Sequence, residues 1–122
     1  MDLFKQLKAY ELSYKMALRV YESTKAMPRE EQYGLVSQMR RASMSIPATI
    51  AEGYAKKSSG KEYKRYLMMA LGSCNEMKVW LDMSRDLNLL ETSWCGKSYV
   101  EYDQIAALIN GIIRKIEENL KK

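Results

Sequence analysis

Ser59-Gly60-Lys61-Glu62-Tyr63-Lys64-Arg65-Tyr66-Leu67-Met68-Met69-Ala70-Leu71-Gly72-Ser73-Cys74-Asn75-Glu76-Met77-Lys78-Val79-Trp80-Leu81 is the stretch whose reading decides the fold. Tyr63, Leu67, Ala70, Cys74, Met77 and Leu81 recur at spacings of four and three, the period of one face of an α-helix. Ser59, with Glu62 three residues later, has the form of a capping box and marks the start. The predicted helix continues to about Asn88, roughly 45 Å at 1.5 Å per residue. Beside the first row runs a second one, Tyr66, Met69, Ser73, Trp80, Met83 and Leu87. Two adjacent rows are wider than one neighbouring helix can cover, so this helix is either the most buried of its bundle or also meets another subunit. Tyr66, Met69, Ser73, Glu76, Trp80 and Met83 are therefore the candidate oligomer interface.

Outward from this stretch, three more helices are predicted. The first spans about Leu7 to Ala26, with Leu3, Leu7, Tyr10, Tyr14, Ala17 and Tyr21 as its inner row and Leu12, Met16 and Val20 as a second; Pro28 marks its end. The next spans about Gln32 to Lys57, with Leu35, Met39, Ala42, Ile46 and Ile50 facing inward. Pro47 falls inside it and predicts a kink, but the apolar row continues in phase, which favours one helix over two. The last follows a turn at Thr92-Ser93-Trp94-Cys95-Gly96 and carries Tyr102, Ile105, Ile109, Ile112 and Ile116. Four long helices with short connections predict an all-α, up-down-up-down antiparallel four-helix bundle forming a single domain over residues 1–122.

Composition narrows the function. At 122 residues, 47% hydrophobic and 29% charged, the chain suits one globular domain. It has no histidine, which removes the commonest general base and the commonest metal ligand together. Cys74 and Cys95 lack any disulfide or metal-ligand spacing and read as free thiols. The N-terminus lacks a basic segment followed by an apolar one, and no apolar run reaches the ~20 residues of a membrane span, so a cytoplasmic protein with no membrane partner is expected.

The formal charge is +5, and it is concentrated. Between Arg40 and Arg65 stand seven cations, Arg40, Arg41, Lys56, Lys57, Lys61, Lys64 and Arg65, against Glu52 and Glu62 alone, an excess equal to that of the whole chain. Such a segment is what contact with a phosphate backbone requires, although solvated lysines around a turn also occur in proteins that bind no polyanion. Tyr54, Tyr63 and Tyr66 interleave with these cations and could stack on unpaired bases, though the spacing of Tyr63 places it in the core.

Catalytic readings have little to build on. A di-iron bundle site needs Glu-x-x-His motifs that a chain without histidine cannot supply. Glu52 and Glu76 could form an acid/base pair, but a structural role, pairing with an arginine such as Arg41, is favoured. Gly72-Ser73 reads as a close helix approach rather than a phosphate loop. No catalytic residue, cofactor or metal is expected.

The runs Glu31-Gln32-Tyr33-Gly34-Leu35, Gln38-Met39-Arg40-Arg41-Ala42-Ser43 and Ser45-Ile46-Pro47-Ala48-Thr49-Ile50-Ala51-Glu52-Gly53 resemble the signature of the four-helix bundle proteins encoded in 23S rRNA intervening sequences. Ala70-Leu71-Gly72-Ser73-Cys74-Asn75-Glu76 resembles that family's second motif, and Ala17 with Val20-Tyr21 its first helix. Thr49 stands where the family more often has asparagine. The resemblance extends to the accessory variability determinant, Avd, of diversity-generating retroelements, and so implies a barrel-like homopentamer and binding of nucleic acid. It points to Arg40, Arg41, Glu52, Ser73 and Glu76 as motif residues. The leading expectation is a non-enzymatic oligomer that binds RNA or another nucleic acid through the Arg40–Arg65 patch. The alternative is a protein-interaction scaffold docking a partner on the apolar face around Trp80 and Met83.

Overall fold

Apolar residues repeating every three or four positions leave each helix with one face that is stable only against another helix, and four such faces close on a common core. In the computed structural model, which describes residues 2–122, the helices are α1 (Lys8–Thr24), α2 (Leu35–Ala55), α3 (Gly60–Asp86) and α4 (Thr92–Leu120). Short 3-10 turns, Leu3–Gln6 and Arg29–Glu31, precede α1 and α2. Among the described residues there is no strand. Each helix packs on its neighbours in sequence, and α1 closes the ring against α4. Neighbours run antiparallel: Gly53, Ser45 and Met39 of α2 meet Tyr66, Ser73 and Ser84 of α3, while Lys64 and Lys78 of α3 meet Glu117 and Asp103 of α4.

The expected row of α3 is fully internal, with Leu67, Ala70, Cys74, Met77 and Leu81 completely buried and Tyr63 nearly so. Helix α2 buries Leu35, Met39, Ala42, Ile46 and Ile50 as expected and runs as one element through Pro47. Its start is later than Gln32, because Arg29–Glu31 forms a 3-10 turn and the α-helix begins after Gly34. At the other end of the loop, the hydroxyl half of the capping box forms, Glu62 N donating to Ser59 Oγ at 3.2 Å. The reciprocal half does not, since the Glu62 carboxylate accepts two bonds from Arg65 at 3.0 and 3.2 Å.

Three expectations are corrected. In α1 the expected inner row is only partly internal: Ala17 is buried and Leu7 and Tyr10 pack against the core, but Tyr14 and Tyr21 are 49% and 45% exposed, while Met16 and Val20 of the second row join Ala9, Ser13, Ala17 and Thr24 in the core. Ser13 and Thr24 are tolerated there because their hydroxyls donate to backbone carbonyls of their own helix, at 3.0 Å to Tyr10 and 2.8 Å to Val20. The turn expected at Thr92–Gly96 is instead the start of α4, so Cys95 is helical and buried. The reversal lies at 87–91, where Asn88 takes the left-handed conformation (φ 58°). There the Asn88 and Leu89 amides donate to the Arg85 and Ser84 carbonyls, a Schellman closure of α3. In α4, Ile113 rather than Ile112 is the buried member of its pair.

Gly72 meets nothing within 4 Å of a would-be Cβ, so it does not mediate a close helix approach. Gly53 does: a Cβ there would sit 2.8 Å from the Tyr66 Cβ and 3.3 Å from the Tyr63 ring. Deep in the core, burial pushes the Cys74 thiol from 9.0 up to about 12 and raises the Tyr102 phenol, whose hydroxyl has no hydrogen-bond partner.

Two stability measurements follow from this packing. Gly53→Ala should lower unfolding free energy in urea by about 1–3 kcal/mol through overpacking, whereas Gly111→Ala, in open space on α4, should raise it by about 0.5–1 kcal/mol through helix propensity. An unfolded Cys74 thiol ionises from about pH 9 while the folded one stays neutral. Its contribution is therefore complete below pH 9 and is lost as pH rises toward 12, by up to about 1.4 kcal/mol per pH unit. Urea midpoints from pH 8.5 to 10.5 should fall less steeply in Cys74→Ala than in the unaltered chain.

Candidate nucleic-acid interface

The seven cations that are close in sequence are divided by the length of α2. Arg40 and Arg41 lie near its start and Lys56 just past its end, about 24 Å apart at 1.5 Å per residue. The two groups differ in chemistry as well as place.

Arg40 is committed to the fold. Its Nε donates to Thr24 Oγ1 at 3.0 Å and its Nη2 to the Tyr21 carbonyl at 3.2 Å, a carbonyl in the last turn of α1 that lies also 3.1 Å from the Thr24 hydroxyl, so Arg40 ties the start of α2 to the end of α1. Its guanidinium lies 4.0 Å from the centre of the Tyr21 ring. Arg41, on the next position round the helix, is exposed. Among the described residues Arg41, Glu52 and Glu76 form no ion pair, so the pairing of these carboxylates with Arg41 expected from sequence is absent. Glu52 and Glu76 are both exposed.

Lys56, Lys57, Lys61, Lys64 and Arg65 surround the turn from α2 to α3. Two of them have carboxylate partners: Arg65 holds Glu62, and Lys64 holds Glu117 at 2.9 Å. Each cation holds its partner's carboxyl below the usual carboxylate range, chiefly through the hydrogen bond it donates. Among the described residues Lys56, Lys57 and Lys61 have no carboxylate within ion-pair distance and are exposed, although Lys56 and Lys61 add their charge to the field that lowers the Glu62 carboxyl. Lys57 lies 4.2 Å from the Tyr54 ring centre and donates to its hydroxyl at 3.0 Å; Lys56 lies 5.6 Å from the Tyr66 ring centre, and Arg65 covers the same ring at 4.6 Å. A shallow pocket of about 520 Å³ opens beside them, lined by Lys61, Glu62, Lys64, Arg65, Met68 and Met69. Gly60 rests on Leu120, so Lys121 and Lys122 belong to the same end of the bundle, a neighbourhood the linear charge count did not reveal.

The candidate interface residues divide too. Met69 and Met83 stand 51% and 43% exposed on the outer side of α3, with Glu76 between them. Tyr66, Ser73 and Trp80 are half-buried, and Ser73 accepts a 2.7 Å bond from Ser45 across the α2–α3 contact. The reading of α1 also hid a surface: an apolar groove of about 400 Å³ between α1 and α2, walled by Tyr10, Tyr14, Leu18, Tyr21 and Met44 and floored by Ala48. The small residues Ala9 and Ser13, in line with Met16 and Val20, are the available signal that Tyr14 and Tyr21 face out. Among the described residues no three His, Cys, Asp or Glu side chains converge to hold a metal ion, and no helix is long and apolar enough to cross a membrane.

Residues 5–111 match the model of the family described as 23S rRNA-intervening sequence protein. The chain belongs to this family. No curated protein matches it. Among solved structures it is similar to a protein of unknown function from the S23 ribosomal protein family of Bacteroides thetaiotaomicron, at 21% identity over 86% of this chain and 97% of that one, with a TM-score of 0.76. The shared four-helix fold is what that likeness establishes.

The different tasks of neighbouring arginines are open to measurement. Arg40→Ala should cost about 1–2 kcal/mol in urea unfolding, because it removes two hydrogen bonds that tie α2 to the end of α1. Arg41→Ala should stay within about 0.5 kcal/mol of the unaltered chain when both are compared as dissociated monomers, since within its own chain the side chain is exposed and, among the described residues, unpaired.

Proposed function

We propose that this protein binds RNA through the lysine-rich turn joining α2 to α3, acting by binding rather than catalysis and working as an oligomer. The observation that carries the reading is Lys56, Lys57 and Lys61: three exposed cations at one end of the bundle, none within ion-pair distance of a carboxylate among the described residues. Cations already held by carboxylates surrender that partner before they gain a phosphate, whereas free ones release counterions directly. Lys64 and Arg65 contribute at the edge, and Arg41 lies too far along α2 to share one backbone contact with them. Arg40 is a structural member of the set.

The half-buried rings of Tyr54 and Tyr66 beside these lysines suit unpaired bases, with backbone contacts dominating and no sequence readout. Membership of the 23S rRNA intervening-sequence family supports an RNA context, and the resemblance to Avd supports a homopentamer. The rival, a scaffold that docks a partner protein, draws support from Met69 and Met83 standing free on α3.

An electrophoretic shift with ribosomal RNA fragments at ~50 mM salt tests the reading. The unaltered chain should retard the RNA, and binding should weaken as salt rises. Changing Lys56, Lys57 and Lys61 together to glutamine should weaken it at least tenfold and lower the slope of log affinity against log salt. Absence of any shift with the unaltered protein would overturn the proposal.

A further inference from the structure

The bundle leaves two large apolar surfaces uncovered. One is the α1–α2 groove, where Tyr14, Leu18, Tyr21 and Met44 are between 45% and 55% exposed. The other is the outer side of α3, where Met69, Val79, Met83 and Leu87 are between 43% and 56% exposed. Helices α1 and α3 are not in contact, so these surfaces belong to separate parts of the ring of helices. Their shapes are opposite: the first is a cleft between two helices, the second the ridge of one. A cleft laid on a copy of itself leaves a void, and voids forfeit the contacts that hold an interface together; a cleft filled by a ridge does not.

We propose that the α1–α2 groove receives the α3 ridge of a second copy of this chain, in a head-to-tail contact that every subunit makes twice, once with each surface. This rests on the oligomeric reading above and names the surfaces that meet. Charge also favours the pairing. Arg41 does not line the groove, but it lies about one turn before the lining residue Met44 on α2 and is exposed without an ion pair among the described residues. Glu76 lies on the ridge between Met69 and Met83, likewise exposed and unpaired within its own chain. Seating the ridge in the groove brings an unpaired cation and an unpaired anion to the same boundary. Unlike surfaces that meet in this way generate rings or open chains rather than two-fold dimers.

The contact can be dissected by complementation. One variant, Tyr14→Glu with Leu18→Glu, spoils the groove; another, Met69→Glu with Met83→Glu, spoils the ridge. All four side chains are solvent-exposed, and circular dichroism matching the unaltered chain verifies folding. In sedimentation velocity the unaltered protein should run as a multiple of 14.2 kDa and each variant alone as a monomer. A mixture of the two variants retains one good groove and one good ridge, so it should form a 1:1 dimer of twice that mass. A mixture that stays monomeric, or a groove variant that assembles like the unaltered chain, overturns the proposed contact while leaving an oligomer of another kind standing. An unaltered protein that is monomeric at tens of micromolar overturns both. Independently of those variants, Arg41→Glu and Glu76→Arg should each weaken association at least tenfold, and the double reversal should restore it to within threefold; failure of the double reversal to restore it also overturns the contact.

Discussion

The close approach of α2 and α3 at Gly53 is the constraint on which the rest of the molecule depends. A side chain there would meet Tyr66 at 2.8 Å, so the two helices can touch at this level only because position 53 has none. With the backbones drawn together, a turn of four residues, Lys56 to Ser59, suffices to reverse the chain. The same approach aligns Ser45 with Ser73 and Met39 with Ser84 further along, and it holds Tyr63 against Tyr54 in an edge contact at 6.2 Å. A short turn crowded with lysines is its outer consequence.

That crowding separates this end of the bundle from the rest of the surface. Elsewhere many charges stand in local pairs, such as Glu11 with Lys15, Glu22 with Lys25, and Arg85 with Asp82 and Asp86, and cations without a pair among the described residues, such as Arg41 and Lys97, are spread along the chain rather than gathered at one turn. At the α2–α3 turn the supply of carboxylates ends before that of cations, and Lys56, Lys57 and Lys61 are left over. Exposed ion pairs contribute little to stability, so the distribution bears on what the surface attracts more than on how the chain folds. The uncovered apolar surfaces have a similar logic. A bundle of this size has more apolar rows than its own core can take up, and the remainder lies on α1, α2 and α3.

Where large apolar side chains carry the period, as from Tyr63 to Leu81, the sequence suffices to identify the buried face. In α1 the period counts Tyr14 and Tyr21 as inner residues for the apolar area of their rings, whereas the core takes the small Ala9, Ser13 and Thr24 beside Met16 and Val20 and leaves those two tyrosines outside. Ser13 and Thr24 could be buried because each satisfies its hydroxyl within the same helix, a bond that no apolar count detects. Gly72 and Gly53 look alike in the sequence, and only the packing of Tyr63 and Tyr66 distinguishes them. The charge excess was legible as a sum but not as a surface. A linear count cannot register that an intervening helix separates Arg40 from Lys56, nor that Arg40 is occupied at the end of α1 and that Lys121 and Lys122 lie beside the turn.

The central claim is that the turn between α2 and α3 is where the protein meets its polyanion. Lysine acylation read by mass spectrometry, with and without a ribosomal RNA fragment at ~50 mM salt, tests it at single-residue resolution. The account predicts that Lys56, Lys57 and Lys61 lose reactivity when RNA is present, while Lys25 and Lys97, at the far end of the bundle, keep theirs. Equal protection of all five lysines, or protection of the far pair alone, would contradict it.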